Sequence, residues 1–183
     1  MSVVRVADFD LSKYSSETVF VLDTNILYFV HSGYYLPTDP KCICYSNLVQ
    51  QIISDDRKIM VSALTIQELL FGIEGKEYSR YIDANGISKK SYSKKDYRKN
   101  TAERQSLRTK MQTVFAEIAN TYTLVDGQIT SGQIKNFTDQ FDAHHYDPID
   151  YVLVDDMLSK GTVVFVSDDT DFQYDTRIDL VTA

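Results

Sequence analysis

The stretch from Val19 to Leu27 reads VFVLDTNIL, and it decides the fold expected for this chain. Its first four residues are apolar and rich in Val, which is typical of a strand buried on both faces of a parallel α/β sheet. Asp23 marks the end of that strand. Ligands of open α/β sheets bind beyond the carboxyl ends of the strands, so Asp23 is a candidate functional carboxylate. The alternative is structural, with Asp23 in an Asx turn and Thr24 or Asn25 capping the next helix.

The same pattern recurs near the C-terminus. The sequence TVVFV at 162–166 predicts another doubly buried strand, and the polar run SDDTD at 167–171 follows it. The carboxyl ends of parallel strands lie along one edge of a sheet, where ligands of such sheets bind. We therefore expect Asp169 and Asp171, which follow this strand, to lie at the same sheet edge as Asp23.

A third candidate acid lies on a helix. The sequence LTIQELLFGI at 64–73 predicts a strongly apolar helix, and Glu68 is its one charged residue. The helix follows a short predicted strand at 58–61, so a carboxylate near its start can face the same sheet edge. The alternative is a capping box, in which Thr65 and Glu68 satisfy the first amides of the helix. The sequence leaves both interpretations open.

The fourth candidate acid lies at the start of a late helix. The sequence DPIDYVLVDDMLSKG at 147–161 predicts a helix with Asp147 as its N-cap. Asp150 then lies in the first turn, where the helix dipole favours an acid for structural reasons alone. His144 and His145 precede this helix, but the cysteines of the chain do not have the spacing of zinc ligands. A structural zinc site is therefore not expected.

The composition is that of an ordinary globular chain. Its 183 residues fit a single domain, and 43% hydrophobic with 25% charged residues are sufficient for a substantial core. No apolar run approaches the length of a membrane span, and the N-terminus lacks a secretory signal, so we expect a cytoplasmic protein with no membrane partner. Cys42 and Cys44 fit neither a redox motif nor a disulfide framework and are expected to be reduced.

The charge of the chain is unevenly distributed. The net charge is −7, yet the segment from Lys76 to Lys110 carries eleven Lys or Arg against four Asp or Glu. Within it, the basic insert, around residues 75–100, interleaves cations with four tyrosines. Lysines neutralise phosphates and tyrosines stack on unpaired bases, so the insert is a candidate nucleic-acid-binding segment, with a solvated charged surface as the alternative. Its candidate contacts are Lys89, Lys90, Lys94, Lys95, Arg98 and Lys99.

A cluster of these acids at one sheet edge would have a chemical consequence. Several carboxylates close together repel one another at neutral pH unless a cation is bound between them. Ligand sets made only of oxygen select hard ions such as Mg²⁺ or Mn²⁺. A carboxylate-held pair of such ions promotes phosphodiester hydrolysis, because the ions lower the pKa of the attacking water and neutralise charge on the phosphate.

With these motifs in place, the chain resembles the PIN-domain ribonucleases, and in particular the VapC-like toxins among them. The resemblance is carried, in the family's order and over nearly the whole chain, by VFVLDTNIL at 19–27, SALTIQELLFG at 62–72, DPIDYVLVDDMLSKG at 147–161 and VVFVSDDTDF at 163–172. It implies that the catalytic and metal-binding acids are Asp23, Glu68, Asp150 and Asp169, with Asp171 as a further candidate ligand and with Asn25 and Ser167 as small polar residues beside them.

The resemblance implies a PIN-like α/β fold over residues 1–183, with a central parallel sheet and helices on both faces. It also implies an endoribonuclease that requires Mg²⁺ or Mn²⁺, cleaves single-stranded or structured RNA and leaves a 3′ hydroxyl. The toxin of a toxin-antitoxin pair is one form of this function, with RNA, an antitoxin protein and a second copy of the chain as its partners. The basic insert is longer than expected of a compact family toxin.

Two alternatives remain open within the same fold. One is an RNA-processing nuclease that is not a toxin, and the other is a non-catalytic module that binds RNA or protein. All four acidic positions are filled, which favours catalysis. Phosphatases are disfavoured because their second Asp would stand at the position of Asn25, and phosphoryl-accepting domains because VSDDTDF at 166–172 contains no Lys.

Overall fold

The computed structural model describes residues 2–143, 145, 147–161 and 163–183. Within these residues there are six strands: β1 (Val3–Arg5), β2 (Val19–Leu22), β3 (Ile59–Ser62), β4 (Thr123–Val125), β5 (Val163–Val166) and β6 (Asp179–Thr182). They form one sheet in the order β1-β6-β5-β2-β3-β4, and every neighbouring pair is parallel.

Seven α-helices cover this sheet in the described part of the chain. They are α1 (Thr24–His31), α2 (Pro40–Ser54), α3 (Ala63–Ala84), α4 (Lys94–Tyr97), α5 (Thr101–Thr121), α6 (Ser131–Asp139) and α7 (Pro148–Leu158). A 3₁₀ helix at Thr170–Tyr174 follows β5. None of the described helices has both the length and the apolar character needed to cross a membrane.

Both faces of the sheet are buried. Along β2, Phe20 and Leu22 pack into one core with side chains of α1, α2, α3 and α5. Val19 and Val21 pack on the other side, with α7 and with Phe137 of α6. Successive side chains of a strand alternate between faces, so an apolar run of four requires a core on each side. The predicted α/β fold, a central parallel sheet with helices on both faces, is confirmed.

The position of β2 in the sheet brings the starts of several helices together. β2 pairs with β3 on one side and with β5 on the other. The chain leaves β2 through α1 and leaves β3 through α3, while β5 ends just before Ser167. The carboxyl ends of these three strands therefore meet at one point of the sheet edge, which is where ligands of open parallel sheets bind.

Two elements differ from the sequence-based prediction. α3 continues to Ala84, beyond the apolar stretch at 64–73 that predicts it, so the first part of the basic insert is helical. Burial of Tyr78 and Ile82 against the core stabilises this extension. The sequence does not reveal β6, because only Leu180 and Val181 of its four residues are fully buried and its strand signal is short.

Candidate active site

Asp23 follows β2 and accepts three hydrogen bonds. Its Oδ1 accepts a hydrogen bond from the backbone N–H of Thr24 at 2.6 Å and so caps α1. Its Oδ2 accepts hydrogen bonds from Asn25 Nδ2 at 2.6 Å and from Ser167 Oγ at 2.5 Å. Asp23 is itself the helix cap, and the predicted capping by Thr24 or Asn25 is wrong. Asn25 and Ser167 therefore orient the Asp23 carboxyl group.

The contact between Asp23 and Ser167 follows from the strand register. β2 and β5 are parallel neighbours in which Leu22 lies opposite Val166, so the next residues of the two strands are adjacent. The Asp23 N–H also donates a hydrogen bond to the Val166 carbonyl oxygen at 3.0 Å. The sheet thus joins two polar residues that are 144 positions apart in the sequence.

Asp23 lines a hollow of about 510 Å³ beyond the carboxyl ends of the central strands, termed the acid pocket. Three other candidate acids line it. Asp171 is not in this lining, and the described residues contribute no Lys or Arg to it. The lining consists of Asp23, Thr24, Asn25, Tyr28, Phe29, Tyr35, Glu68, Phe71, Gly72, Asp150 and Asp169.

The two acids that follow Ser167 have different surroundings. Asp168 accepts a hydrogen bond from the Tyr45 hydroxyl at 2.9 Å and forms an ion pair with Lys41, so it ties the end of β5 to α2. Asp169 caps the following 3₁₀ helix, because its Oδ1 accepts a hydrogen bond from the Asp171 N–H at 2.9 Å. Asp169 also lines the acid pocket. Asp168 is therefore structural, and Asp169 is available to a ligand.

Glu68 reaches the acid pocket from α3. The helix begins at Ala63, and its N-cap is Ser62, whose Oγ accepts a backbone hydrogen bond at 3.2 Å. The predicted capping box of Thr65 and Glu68 is therefore wrong. Glu68 Oε2 instead accepts a hydrogen bond from Thr24 Oγ1 at 2.6 Å, which joins the start of α1 to α3 at the pocket.

Asp150 reaches the acid pocket from the first turn of α7. The predicted cap of this helix is confirmed, because Asp147 Oδ1 accepts hydrogen bonds from the N–H groups of Ile149 at 2.7 Å and of Asp150 at 3.0 Å. Among the described residues, the Asp150 carboxyl group has no hydrogen-bond partner. Capping therefore does not account for the presence of a carboxyl group at this position.

Two acids of the pocket have raised pKa values. The pKa of Asp150 is raised from 3.8 to about 8, first by burial and then by repulsion from Asp23 and other nearby acids. The pKa of Asp23 is raised to about 6, chiefly by burial, although hydrogen bonds from Ser167 and Thr24 lower it. The protein thus compensates only part of the negative charge in the pocket. Acids with raised pKa values in a hollow are candidates for a functional site.

The chemistry of this donor set fits a hard divalent cation. Its four carboxyl groups offer only oxygen ligands, which suit Mg²⁺ or Mn²⁺. As the side chains stand, the described residues contain no group of three or more His, Cys, Asp or Glu that could hold a metal ion. A bound cation would therefore have to draw the carboxyl groups together. His144, part of the disfavoured zinc alternative, lies outside the described residues.

The cations of the basic insert lie apart from the acid pocket. All six candidate contacts are exposed, and none of them is in the lining of the pocket. Arg98 forms a bidentate ion pair with Glu74 at 2.6 and 2.5 Å, and Lys99 pairs with Asp96 at 3.2 Å. These two cations therefore already have partners within the protein.

The tyrosines of the basic insert belong largely to the core. Tyr78 and Tyr97 are buried, and the Tyr78 hydroxyl donates a hydrogen bond to the Tyr92 carbonyl oxygen at 2.5 Å. Tyr81 and Tyr92 are half-buried, with 5.6 Å between their ring centroids. The prediction that these tyrosines are available to stack on bases is therefore wrong for Tyr78 and Tyr97 in particular.

The acid pocket also holds aromatic residues that the sequence does not single out. Phe71 lies three residues after Glu68, and Tyr28 lies four residues after Thr24, so each shares a helix face with a polar residue of the pocket. This spacing is the signal that could reveal them. Tyr35 lies in the loop after α1 and has no comparable signal.

Comparison with known proteins places the fold. The sequence matches no family model and no curated protein. The structure is similar to a chain in the crystal structure of VapBC2 from Rickettsia felis bound to a DNA fragment from their promoter. The TM-score is 0.51 at 13% identity, and the match covers 88% of this chain and 96% of that chain. At this identity the likeness concerns the fold alone, and it agrees with the predicted α/β fold.

Proposed function

We propose that this chain is a metal-dependent endoribonuclease whose catalytic centre is the acid pocket. The observation that carries the proposal is the convergence of four carboxyl groups in one hollow, at the carboxyl ends of the central strands. Structural roles explain part of this arrangement, since two of the acids are helix caps. Neither a cap nor a hydrogen bond explains Asp150, whose pKa is raised to about 8 although the helix dipole favours an acid in this turn.

The polar residues around the acids have roles in this proposal. Asn25 and Ser167 hold Asp23 in one orientation, and Thr24 does the same for Glu68. Such hydrogen bonds orient these two carboxyl groups, although a bound cation would still have to draw the four acids together. Loss of a supporting residue of this kind typically costs about 10- to 100-fold in metal affinity or activity. We therefore assign positioning roles to Asn25, Ser167 and Thr24.

Mg²⁺ or Mn²⁺ is the cofactor that the proposal requires. When bound, the ion would lower the pKa of the attacking water and neutralise the charge that develops on the phosphate. The residues that would hold it are Asp23, Glu68, Asp150 and Asp169. The contribution of the chain is to present these oxygen ligands in a hollow that is open to a polymeric substrate.

RNA is the proposed substrate, and the exposed lysines of the basic insert are the proposed source of additional phosphate contacts. The similarity to a chain of VapBC2 supports the toxin of a toxin-antitoxin pair, with an antitoxin protein as partner. A homodimer and a cytoplasmic location belong to the same proposal. An RNA-processing nuclease is the alternative form. A small open reading frame beside the gene would favour the toxin, and its absence would favour RNA processing.

The proposal is tested by cleavage of a labelled RNA in the presence and absence of metal. We expect almost no cleavage in EDTA and recovery of cleavage when Mn²⁺ or Mg²⁺ is added in excess. Robust cleavage in the chelator, retained through a second purification, would overturn the metal-dependent mechanism. RNA binding without cleavage under any metal condition would instead support the non-catalytic module.

A further inference from the structure

We propose that Phe71 and Tyr35 stack against unpaired bases of the substrate, so that the acid pocket accepts single-stranded nucleic acid and rejects a duplex. This inference rests on the proposed function, because it concerns the same pocket, and it adds the residues that would distinguish single-stranded from duplex substrates. Three observations carry it: the exposure of two aromatic rings, the place of Phe71 in the lining of two hollows, and the absence of Lys and Arg from the described linings.

Phe71 is an exposed aromatic residue on the wall of the acid pocket. Its side chain is 57% exposed, although it lies on the strongly apolar first part of α3. Glu68 lies three residues earlier on the same face of α3. A large apolar ring left in water beside carboxyl groups adds little to the core, so contact with a ligand explains its position better.

Tyr35 belongs to a braced group of rings in the same pocket. Its ring centroid is 4.8 Å from that of Phe29 and 5.9 Å from that of Tyr28. Tyr28 packs closely on α3 at Gly72, where an added Cβ would lie 3.3 Å from the Tyr28 ring. Tyr35 is nevertheless 39% exposed. A braced, half-exposed ring is suited to stacking, because it loses little conformational freedom on binding.

Phe71 also lines a second hollow next to the acid pocket. This side pocket has a volume of about 280 Å³, and its lining is Leu64, Gln67, Glu68, Phe71, Ile129, Asp147, Ile149 and Asp150. Glu68, Phe71 and Asp150 line both pockets. Phe71 is therefore the one aromatic residue of the described linings that a strand passing the acids could meet from either pocket.

Charge alone does not select a single strand at this place. The described linings of the two pockets contain five acids and no Lys or Arg. A divalent cation at the acids would attract the phosphates of a duplex and of a single strand alike. Stacking on an aromatic side chain, in contrast, requires a base that is unpaired and free of its neighbours. Selection between the two substrates therefore depends on the aromatic residues.

The absence of tryptophan from this chain permits a direct test. The Phe71→Trp variant carries a single tryptophan in the pocket, and its emission is recorded during titration with a short oligouridine in Ca²⁺. The matched control is Phe115→Trp, which places the same ring at a 44% exposed position on α5, outside both pockets. An abasic strand of equal length and a blunt RNA duplex are titrated in parallel.

We expect the oligouridine to quench the Phe71→Trp variant, with little quenching by the abasic strand or the duplex and none of the control variant. Measured by fluorescence anisotropy, Phe71→Ala should weaken oligouridine binding by about 5- to 150-fold, the range that one stacked base contributes. Phe115→Ala should leave binding unchanged. Equal quenching by duplex and single strand, or equal affinity of Phe71→Ala and wild type, would overturn the inference.

Failure of this inference is distinguishable from failure of the proposed function. Quenching of Phe71→Trp by the single strand, without metal-dependent cleavage by the wild type, supports the stacking and contradicts the nuclease. The opposite result is also possible to recognise. If the wild type and Phe71→Ala both cleave duplex and single strand at equal, metal-dependent rates, the stacking is overturned and the nuclease is supported.

Discussion

The acid pocket and the basic insert both carry charged and aromatic residues, but the two regions use them in opposite ways. In the acid pocket the acids are partly buried and the described lining holds no Lys or Arg, while Phe71 and Tyr35 are exposed. In the basic insert the cations are exposed, while Tyr78 and Tyr97 are buried. The comparison teaches that the environment of a charge, and not its density along the sequence, identifies the stronger candidate for chemistry.

The basic insert has internal structure of its own. Ser93 and Asp96 form a capping box at the start of α4, and Arg98 forms a bidentate ion pair with Glu74 of α3. Tyr97, the last residue of α4, packs into the core. These contacts favour a structural role for part of the insert and leave its exposed lysines as the residues able to contact RNA.

The largest expected effect concerns the acids themselves. Because Glu68 lies in the acid pocket and offers a carboxylate ligand, Glu68→Gln should lower single-turnover RNA cleavage by at least about 100-fold. Asp171→Asn is the matched control, because Asp171 follows Asp169 by two positions in the sequence but lies outside the pocket lining. Its cleavage rate should stay within about threefold of wild type, well below the effect of removing a ligand. The opposite ranking of the two variants would contradict the site assignment.

The next effect concerns the stability of the metal-free protein. The folded chain keeps the Asp150 proton up to about pH 8, while the unfolded chain releases it near its ordinary pKa of 3.8. The free energy of unfolding should therefore fall as the pH rises from about 4 to about 8, by about 6 kcal/mol from this group. Urea denaturation in EDTA across this range measures the change. Asp150→Asn should flatten the curve, and an unchanged curve would contradict the raised pKa.

A third prediction compares two neutralising substitutions at pH 8 in EDTA. Asp150→Asn should stabilise the protein, because it removes a carboxyl group that is repelled by its neighbours and has no hydrogen-bond partner among the described residues. The gain in stability from Asp23→Asn should be smaller than that from Asp150→Asn by about 1–3 kcal/mol, because the new amide cannot accept all three hydrogen bonds. Urea denaturation of both variants gives the difference. A larger gain for Asp23→Asn would show that those hydrogen bonds contribute little.

The smallest effect concerns the basic insert. Replacing Lys89, Lys90, Lys94 and Lys95 with Ala should weaken RNA binding about tenfold, because these exposed cations neutralise phosphates outside the pocket. The slope of log K against log salt should flatten by up to about 0.7 for each phosphate that the variant no longer neutralises. Affinity measured across a salt series tests both changes. An unchanged affinity and slope would mean that the insert is only a solvated surface or binds a protein partner.

Local signals predict much of this structure. An apolar run of four followed by Asp23 predicts a buried strand and its end, because the pattern depends on only a few adjacent residues. Asp147 before Pro148 likewise predicts the start of α7 and places Asp150 in its first turn. Both predictions rest on short-range physics, and the structure has both elements where the sequence indicates them.

Interactions between distant residues are what the sequence does not reveal. The hydrogen bond from Thr24 to Glu68 joins residues 44 positions apart, and it replaces a capping box that short-range rules favour equally. Burial of Tyr78 and Tyr97 depends on which face of α3 and α4 meets the core, and the charge pattern does not indicate that face. Tertiary packing therefore decides the role of the residues that the sequence leaves open.

The central claim is that cleavage takes place in the acid pocket and that the basic insert only adds affinity. The most direct test is the single-turnover rate at saturating RNA and Mn²⁺ for wild type, Asp150→Asn and the quadruple lysine variant. We expect a loss of at least about 100-fold for Asp150→Asn and less than about threefold for the lysine variant. A near wild-type rate for Asp150→Asn, together with a large loss in the lysine variant, would contradict the account.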